Sequence, residues 1–188
     1  MTWSRGVRRV LEGVLGSQAE RLLAQVEVAP ELLDSPDGAL PRAVIAQALN
    51  LTLLARSMSE VPDLARYADE KVATGQRFVL DHGAVRCVMA VPTGALPGGQ
   101  AAFARFLEPL GYVDAERYPL PGLRMVGHAW RHVDYPEQVA QYFVSELDCA
   151  QFSPAFQSAV KRVVGGSRDP LSQRSVVALA TLAAEGAL

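Results

Sequence analysis

The segment Phe78-Val79-Leu80-Asp81-His82-Gly83-Ala84-Val85-Arg86-Cys87-Val88-Met89-Ala90-Val91 constrains the chain most. It is mostly apolar and rich in branched side chains, with Thr74-Gly75 before it and Pro92-Thr93-Gly94 after it. Branched side chains pack well on a pleated surface, and Gly and Pro end such runs, so the composition predicts a strand. Side chains alternate across a strand. His82, Ala84 and Arg86 therefore share one face, with the two ends about 13 Å apart at ~3.3 Å per residue. An imidazole able to bind metal or move a proton, a small residue that leaves room, and a guanidinium shaped for carboxylates make a cradle for a carboxylate substrate. The structural alternative treats His82 as a satisfied strand histidine and pairs a buried Arg86 with Asp81, Glu108 or Glu146. Pattern alone leaves both open.

Composition supports a packed core. Of 188 residues, 49% are hydrophobic and 20% charged, which fits one domain carrying a helical extension. The net charge of −2 gives no general attraction to nucleic acid. Cys87 and Cys149 are too few for a disulfide framework and lack metal-site spacing. No run approaches the ~20 apolar residues of a membrane span, and the N-terminus runs into an amphipathic helix instead of a signal core. The expectation is a soluble, cytoplasmic protein with no membrane partner. Lys71 and Lys161 are the only lysines; with abundant Ala, Gly and Leu this hints at a GC-rich bacterial genome.

Helical spacing of Val7, Val10, Leu11, Val14, Leu15, Leu22, Leu23 and Val26 predicts helix over 4–26, which Gly16-Ser17 divides into two equally well. Ala29-Pro30 and Asp34-Ser35-Pro36-Asp37-Gly38 predict turns. A helix over 42–57, apolar nearly all round, should be deeply buried; another follows over 64–73. Beyond Pro92 the chain turns, and a helix is expected over 100–110. Arg117-Tyr118-Pro119-Leu120-Pro121-Gly122 should not hold regular structure for long. Strands are expected over 123–132 and 139–147, then helices over 154–164, with Ser153 as cap, and 169–184. A region 1–75 of helices packed on a sheet module, 76–150, and C-terminal helices, 151–188, together make an α+β arrangement.

The other histidines, His128 and His132, flank Trp130 on one face of their strand, where a solvated sheet face explains them as simply as metal binding does. Glu146 is a carboxylate in an apolar strand. With His82 and one other histidine it would complete a two-histidine, one-carboxylate set of the kind that leaves positions open on iron(II), although no spacing enforces this. Pro97-Gly98-Gly99-Gln100 ahead of a helix is an anion site in principle and a turn by default. Dinucleotide, phosphate-loop and nucleophile-elbow motifs are absent.

The histidine-arginine strand resembles a motif of the 2-oxoadipate dioxygenase/decarboxylase family, iron(II) enzymes of lysine breakdown that yield 2-hydroxyglutarate. The resemblance extends through Phe106-Leu107-Glu108-Pro109-Leu110-Gly111-Tyr112, Arg117-Tyr118-Pro119-Leu120 and Gln141-Tyr142-Phe143-Val144-Ser145-Glu146-Leu147. It continues into Phe152-Ser153-Pro154-Ala155-Phe156 and Ser167-Arg168-Asp169-Pro170-Leu171. It implies a small mixed sheet related to the vicinal-oxygen-chelate fold, His82 as an Fe(II) ligand and substrate contact, and Arg86 as the contact for a carboxylate of the 2-oxo acid. The implied partners are that 2-oxo acid and O2. Family members are longer, and their second iron-binding histidine and their glutamate ligand come from a later half. This chain is therefore expected to be the N-terminal portion of such an enzyme, completed by a C-terminal half or by a second copy. The alternatives are a catalytically incomplete binding or assembly module of the same fold, and a glyoxalase-like metal enzyme assembled across a dimer.

Overall fold

A computed structural model describes residues 6–33, 39–89 and 93–188. Two short helices come first, α1 (Val7–Leu15) and α2 (Gln18–Gln25), parted at Gly16. They bury Val7, Leu11, Leu22 and Leu23. A single turn, α3 (Pro30–Leu33), stands where Ala29-Pro30 predicted a turn; the other expected turn, 34–38, lies outside the described residues. Then come α4 (Arg42–Glu60) and α5 (Pro62–Ala73). The first three turns of α4 are buried as its apolar composition predicts. Its later turns emerge from the core, with Leu53 43% exposed. Buried Gln47 and Asn50 tie α4 to the rest. Asn50 Nδ2 donates to Tyr112 Oη (3.0 Å) and to the Ala140 carbonyl (3.3 Å), while Gln47 Oε1 accepts the Ala140 N–H (3.4 Å). The polar groups of α4 are thus matched at depth, where an unmatched one would cost about 1–3 kcal/mol.

The opening strand is real but shorter than predicted. β1 covers His82–Val88. Phe78 pairs instead with the exit of α2: its N–H donates to the Gln25 carbonyl (2.7 Å) and its carbonyl accepts the Glu27 N–H (2.9 Å). Ala90 and Val91 lie outside the described residues. After α6 (Ala101–Leu107) come β2 (Tyr112–Leu120), β3 (Met125–His132) and β4 (Gln141–Leu147), then α7 (Pro154–Val164) and α8 (Gln173–Glu185). Ser153 and Ser172 cap the last two helices through Phe156 N–H and Ser175 N–H. The chain end is zipped to the start of α4, where Leu40 and Leu188 exchange both backbone hydrogen bonds.

The strands form one sheet in the order β1-β4-β3-β2, with β1 parallel to β4 and the other pairs antiparallel. β2 corrects the expectation that 117–122 is irregular. It lies at an edge, and an edge strand tolerates the missing N–H of Pro119, which stands opposite Val126. The overall class is α+β. Register assigns the two faces. Val85, Val144, Trp130 and Tyr112 look toward the helices and join the core; His82, Ala84, Arg86, Phe143 and Tyr118 look the other way. Nearly all of β2 is exposed beyond the buried Tyr112. No helix among the described residues is long and apolar enough to cross a membrane.

Candidate active site on the open face of the sheet

Pairing with β4 fixes β1 so that His82 lies beside Gln141 and Arg86 beside Ser145. Exposure alternates along β1: His82, Ala84 and Arg86 are exposed, while Gly83 and Val85 are half-buried. His82 Nδ1 lies 2.7 Å from Asp81 Oδ2. With Nδ1–H donated to that carboxylate, the lone pair of Nε2 is free for a metal or a substrate proton. Both side chains are more than half exposed, so the contact orients the ring more than it stabilises the fold. A shallow recess beside His82 is walled by Tyr118, Gln141 and Phe143. Tyr118 Oη donates to Glu116 Oε2 at 2.5 Å.

Arg86 differs from the structural alternative. It is exposed, and its one hydrogen bond among the described residues runs 3.4 Å from Nη1 to the Val85 carbonyl. No carboxylate among the described residues reaches it. Asp81 turns to His82, and Glu146 is on the opposite face. A hydrated guanidinium needs no partner, so the premise that forced a pairing fails.

His128, His132 and Glu146 stand on the helix-covered face, which rules out a common set with His82. They are not on a solvated face either: exposure is 6% for His128, 0% for His132 and 8% for Glu146. His128 is held at both ring nitrogens, with Nδ1 2.8 Å from Asp114 Oδ2 and Nε2 3.2 Å from Glu146 Oε2. The other oxygen of Glu146 accepts the Gln100 N–H at 2.7 Å. Gln100 closes the circuit, accepting from Trp130 Nε1 (3.1 Å) and donating to Asp114 Oδ2 (3.3 Å). This network fastens the start of α6 to the sheet and engages both ring nitrogens of His128 with carboxylates of the chain itself. It also answers the question posed by Pro97-Gly98-Gly99-Gln100. The anion at this helix start is the protein's own Glu146, and Gly99, at φ +64°, admits it.

His132 accepts the backbone N–H groups of Asp134 and Tyr135 at Nδ1, both at 3.2 Å, so the neutral ring carries its proton on Nε2. Among the described residues no partner reaches Nε2 at full hydrogen-bond geometry. Burial, the largest influence, pulls the His132 pKa below the usual imidazole value. Asp134 acts upward, Arg42 downward, and the Leu110 backbone weakly upward. Above about pH 6.5 both folded and unfolded rings are neutral. As pH falls through that value the unfolded ring takes a proton the folded ring declines, so stability drops until the folded pKa is passed. Urea midpoints measured between pH 7.5 and 5 should therefore fall, and His132→Gln should flatten the slope.

Among the described residues, no three or more His, Cys, Asp and Glu gather as a metal site. The open face contributes one histidine, which by itself does not hold a catalytic metal. Of the network residues, Asp114 escaped the sequence reading, while Gln100 and Trp130 were singled out there without their link to His128 and Glu146. Asp114 lies in the strand that the prolines concealed, and the Gly-Gly pair before α6 was the one usable signal.

No protein-family model and no curated protein matches the chain. Among solved structures it is similar to a protein from Ralstonia eutropha JMP134 assigned to the glyoxalase superfamily. The identity is 44% and the TM-score 0.92, over 97% of this chain and 57% of that one. It also aligns with a protein from Shewanella frigidimarina NCIMB 400 described as a hydrolase, at 17% identity and TM-score 0.46 over 77% of this chain and 57% of that one. A third alignment is with the hydroxyglutarate synthase of Pseudomonas putida, solved with 2-oxoadipate, at 20% identity and TM-score 0.46 over 78% of this chain and 36% of that one. The chain spans little more than half the length of the Ralstonia protein. The 44% likeness, over almost all of this chain, establishes the vicinal-oxygen-chelate type of fold and supports that superfamily.

Proposed function

We propose that this chain supplies one part of the active site of an Fe(II)-dependent 2-oxo acid dioxygenase/decarboxylase that yields a 2-hydroxy acid. 2-Oxoadipate is the substrate of the family its motifs resemble. His82 is the metal ligand and substrate contact, and Arg86 receives a carboxylate of the substrate. The observation that carries this reading is the pair itself. His82, oriented by Asp81, and Arg86, which no carboxylate among the described residues reaches, are exposed on one face of β1. Metal-dependent enzymes are common in the superfamily that the Ralstonia likeness supports.

Iron would bring the activation of O2 beside a chelated oxo acid. This chain's share is to aim an imidazole and to fix a carboxylate, so that the substrate's other end is held in one orientation. The remaining ligands come from outside the described residues, on a second sheet that closes the open face. The outer edge of β1, which no strand among the described residues pairs, suits such a neighbour, because a free row of backbone donors and acceptors is a template for another strand.

Anaerobic addition of Fe(II) to the isotopically labelled chain tests this. Paramagnetic broadening should centre on His82, remain weak because one ligand is present, and vanish in His82→Ala. Arg86→Gln should keep the broadening while weakening 2-oxoadipate binding. Broadening centred on His128 or His132, or unchanged in His82→Ala, would overturn the reading. Light scattering on the same samples tells a site closed by a second copy, which appears as a dimer, from one closed by another segment.

A further inference from the structure

We infer that the cavity at the end of the sheet beside Arg86 binds an amphipathic carboxylate, with its anionic head at the guanidinium and its apolar chain inside. A cavity of that size class, within the usual ~300–1,000 Å³ of ligand pockets, opens where β1 and β4 finish and β3 begins. Its volume is about 570 Å³. Residues 93–99, the first turn of α6 and the end of α7 close over it.

The lining is chemically one-sided. Val88, Leu96, Phe103, Met125, Leu147 and Val164 make most of the wall. Arg86 is the one charged side chain among the described lining residues, and no carboxylate is among them. The other polar groups are spent or uncharged. Thr93 Oγ1 lies 3.0 and 3.1 Å from the Leu96 and Pro97 carbonyls. The Cys87 thiol faces the Ser145 carbonyl at 3.6 Å, and burial pushes its pKa up to about 12. A cation at the mouth of an apolar cavity, with no internal counter-charge, selects by charge at one end only. A monocarboxylate satisfies both features: its head pairs bidentately with the guanidinium and its chain leaves water. A dicarboxylate of equal length would drive its second charge against an apolar wall that offers no partner.

This inference rests on the reading of Arg86 as a carboxylate contact and is independent of metal at His82. It concerns the ligand of this cavity alone, which takes an acid with one charged end and an apolar tail.

The test uses metal-free chain and three six-carbon probes: hexanoate, adipate and 1-hexanol, titrated by nuclear magnetic resonance at pH 7.5. Hexanoate should shift the amides of Leu96, Ala102 and Phe103 and bind at least tenfold more tightly than adipate or hexanol. Arg86→Gln should remove that tenfold advantage while leaving hexanol unchanged. Ala102→Phe should fill the cavity and block hexanoate, with the far-ultraviolet circular dichroism of the wild type. Absence of hexanoate binding, equal or tighter binding of adipate, or hexanoate binding indifferent to Arg86→Gln overturns the inference. Adipate preference alongside His82-centred Fe(II) binding overturns this inference alone. Hexanoate binding without any His82-centred Fe(II) binding overturns the metal reading alone.

Discussion

Replacing Glu146 by alanine should destabilise the chain by about 3–5 kcal/mol, because breaking a buried pair strands the partner's charge or donor. The Glu146 and His128 side chains are only 11% and 8% exposed. Truncation leaves His128 Nε2 and the Gln100 N–H without their acceptor, and the Asp114 end of the circuit loses the ring position it depends on. For a chain of this size, ~2–4 °C per kcal/mol puts the thermal midpoint roughly 10 °C lower. Glu146→Gln should cost less, since its amide oxygen still accepts the Gln100 N–H and only the contact with His128 Nε2 changes. Urea melts of both variants beside wild type decide the matter. A loss below about 1 kcal/mol for the alanine variant would mean that water replaces the carboxylate and that the network does not hold α6 to the sheet.

That network was not readable from the sequence, and the reason is parity. The even-numbered residues of β1 share the open side of the sheet with the odd-numbered ones of β3 and β4, through pairings such as His82 with Gln141 and Ala129 with Phe143. Alternation along one strand says which of its residues go together. It does not say which set goes with which set on the next strand, since a one-residue slip in register exchanges the faces. His82 and Arg86 could be grouped because they share a strand. His128, His132 and Glu146 could be grouped with or against them only once register was known.

The fold was more legible where periodicity is long. α1, α2, α4 and α7 follow from apolar spacing, a glycine break and a serine cap. β2 was lost because Pro119 and Pro121 read as breakers, and edge position, the circumstance that excuses them, is a tertiary property. The exposure of β1 was hidden by a related effect. An apolar, branched composition suggests burial, yet this strand lies at an edge of the sheet, and His82, Ala84 and Arg86 meet water. Arg86 therefore needed no structural partner, and that freedom makes it available to a ligand.

Gly94→Ala should detach residues 93–99 from the end of α7 while leaving the sheet intact. Gly94 sits at φ +65°, and a Cβ there would lie 2.3 Å from the Ser167 carbonyl oxygen, 2.8 Å from Ser167 N and 2.9 Å from the Gly165 carbonyl oxygen. All three are backbone atoms, so no side chain can swing aside. Left-handed backbone costs a residue with a Cβ about 1–2 kcal/mol, and forcing the overlap costs about 1–3 kcal/mol more. The cheapest escape is local: the Ala95 N–H releases the Ser167 carbonyl, a 3.0 Å bond, and the segment lifts. At ~1.4 kcal/mol per factor of ten, even 2 kcal/mol should speed amide exchange at Ala95 by roughly thirtyfold. Val144, buried in the central strand β4, should exchange as in wild type. Gly122→Ala is the control, because nothing lies within 4 Å of the added Cβ and its φ is not positive; it should stay within about ±0.5 kcal/mol. The same segment covers the apolar cavity beside Arg86, so hexanoate affinity should fall in step with Ala95 protection. If Ala95 remains protected in Gly94→Ala, the segment is not seated on Ser167 as described. If protection is lost and hexanoate still binds fully, residues 93–99 do not form the cavity's wall.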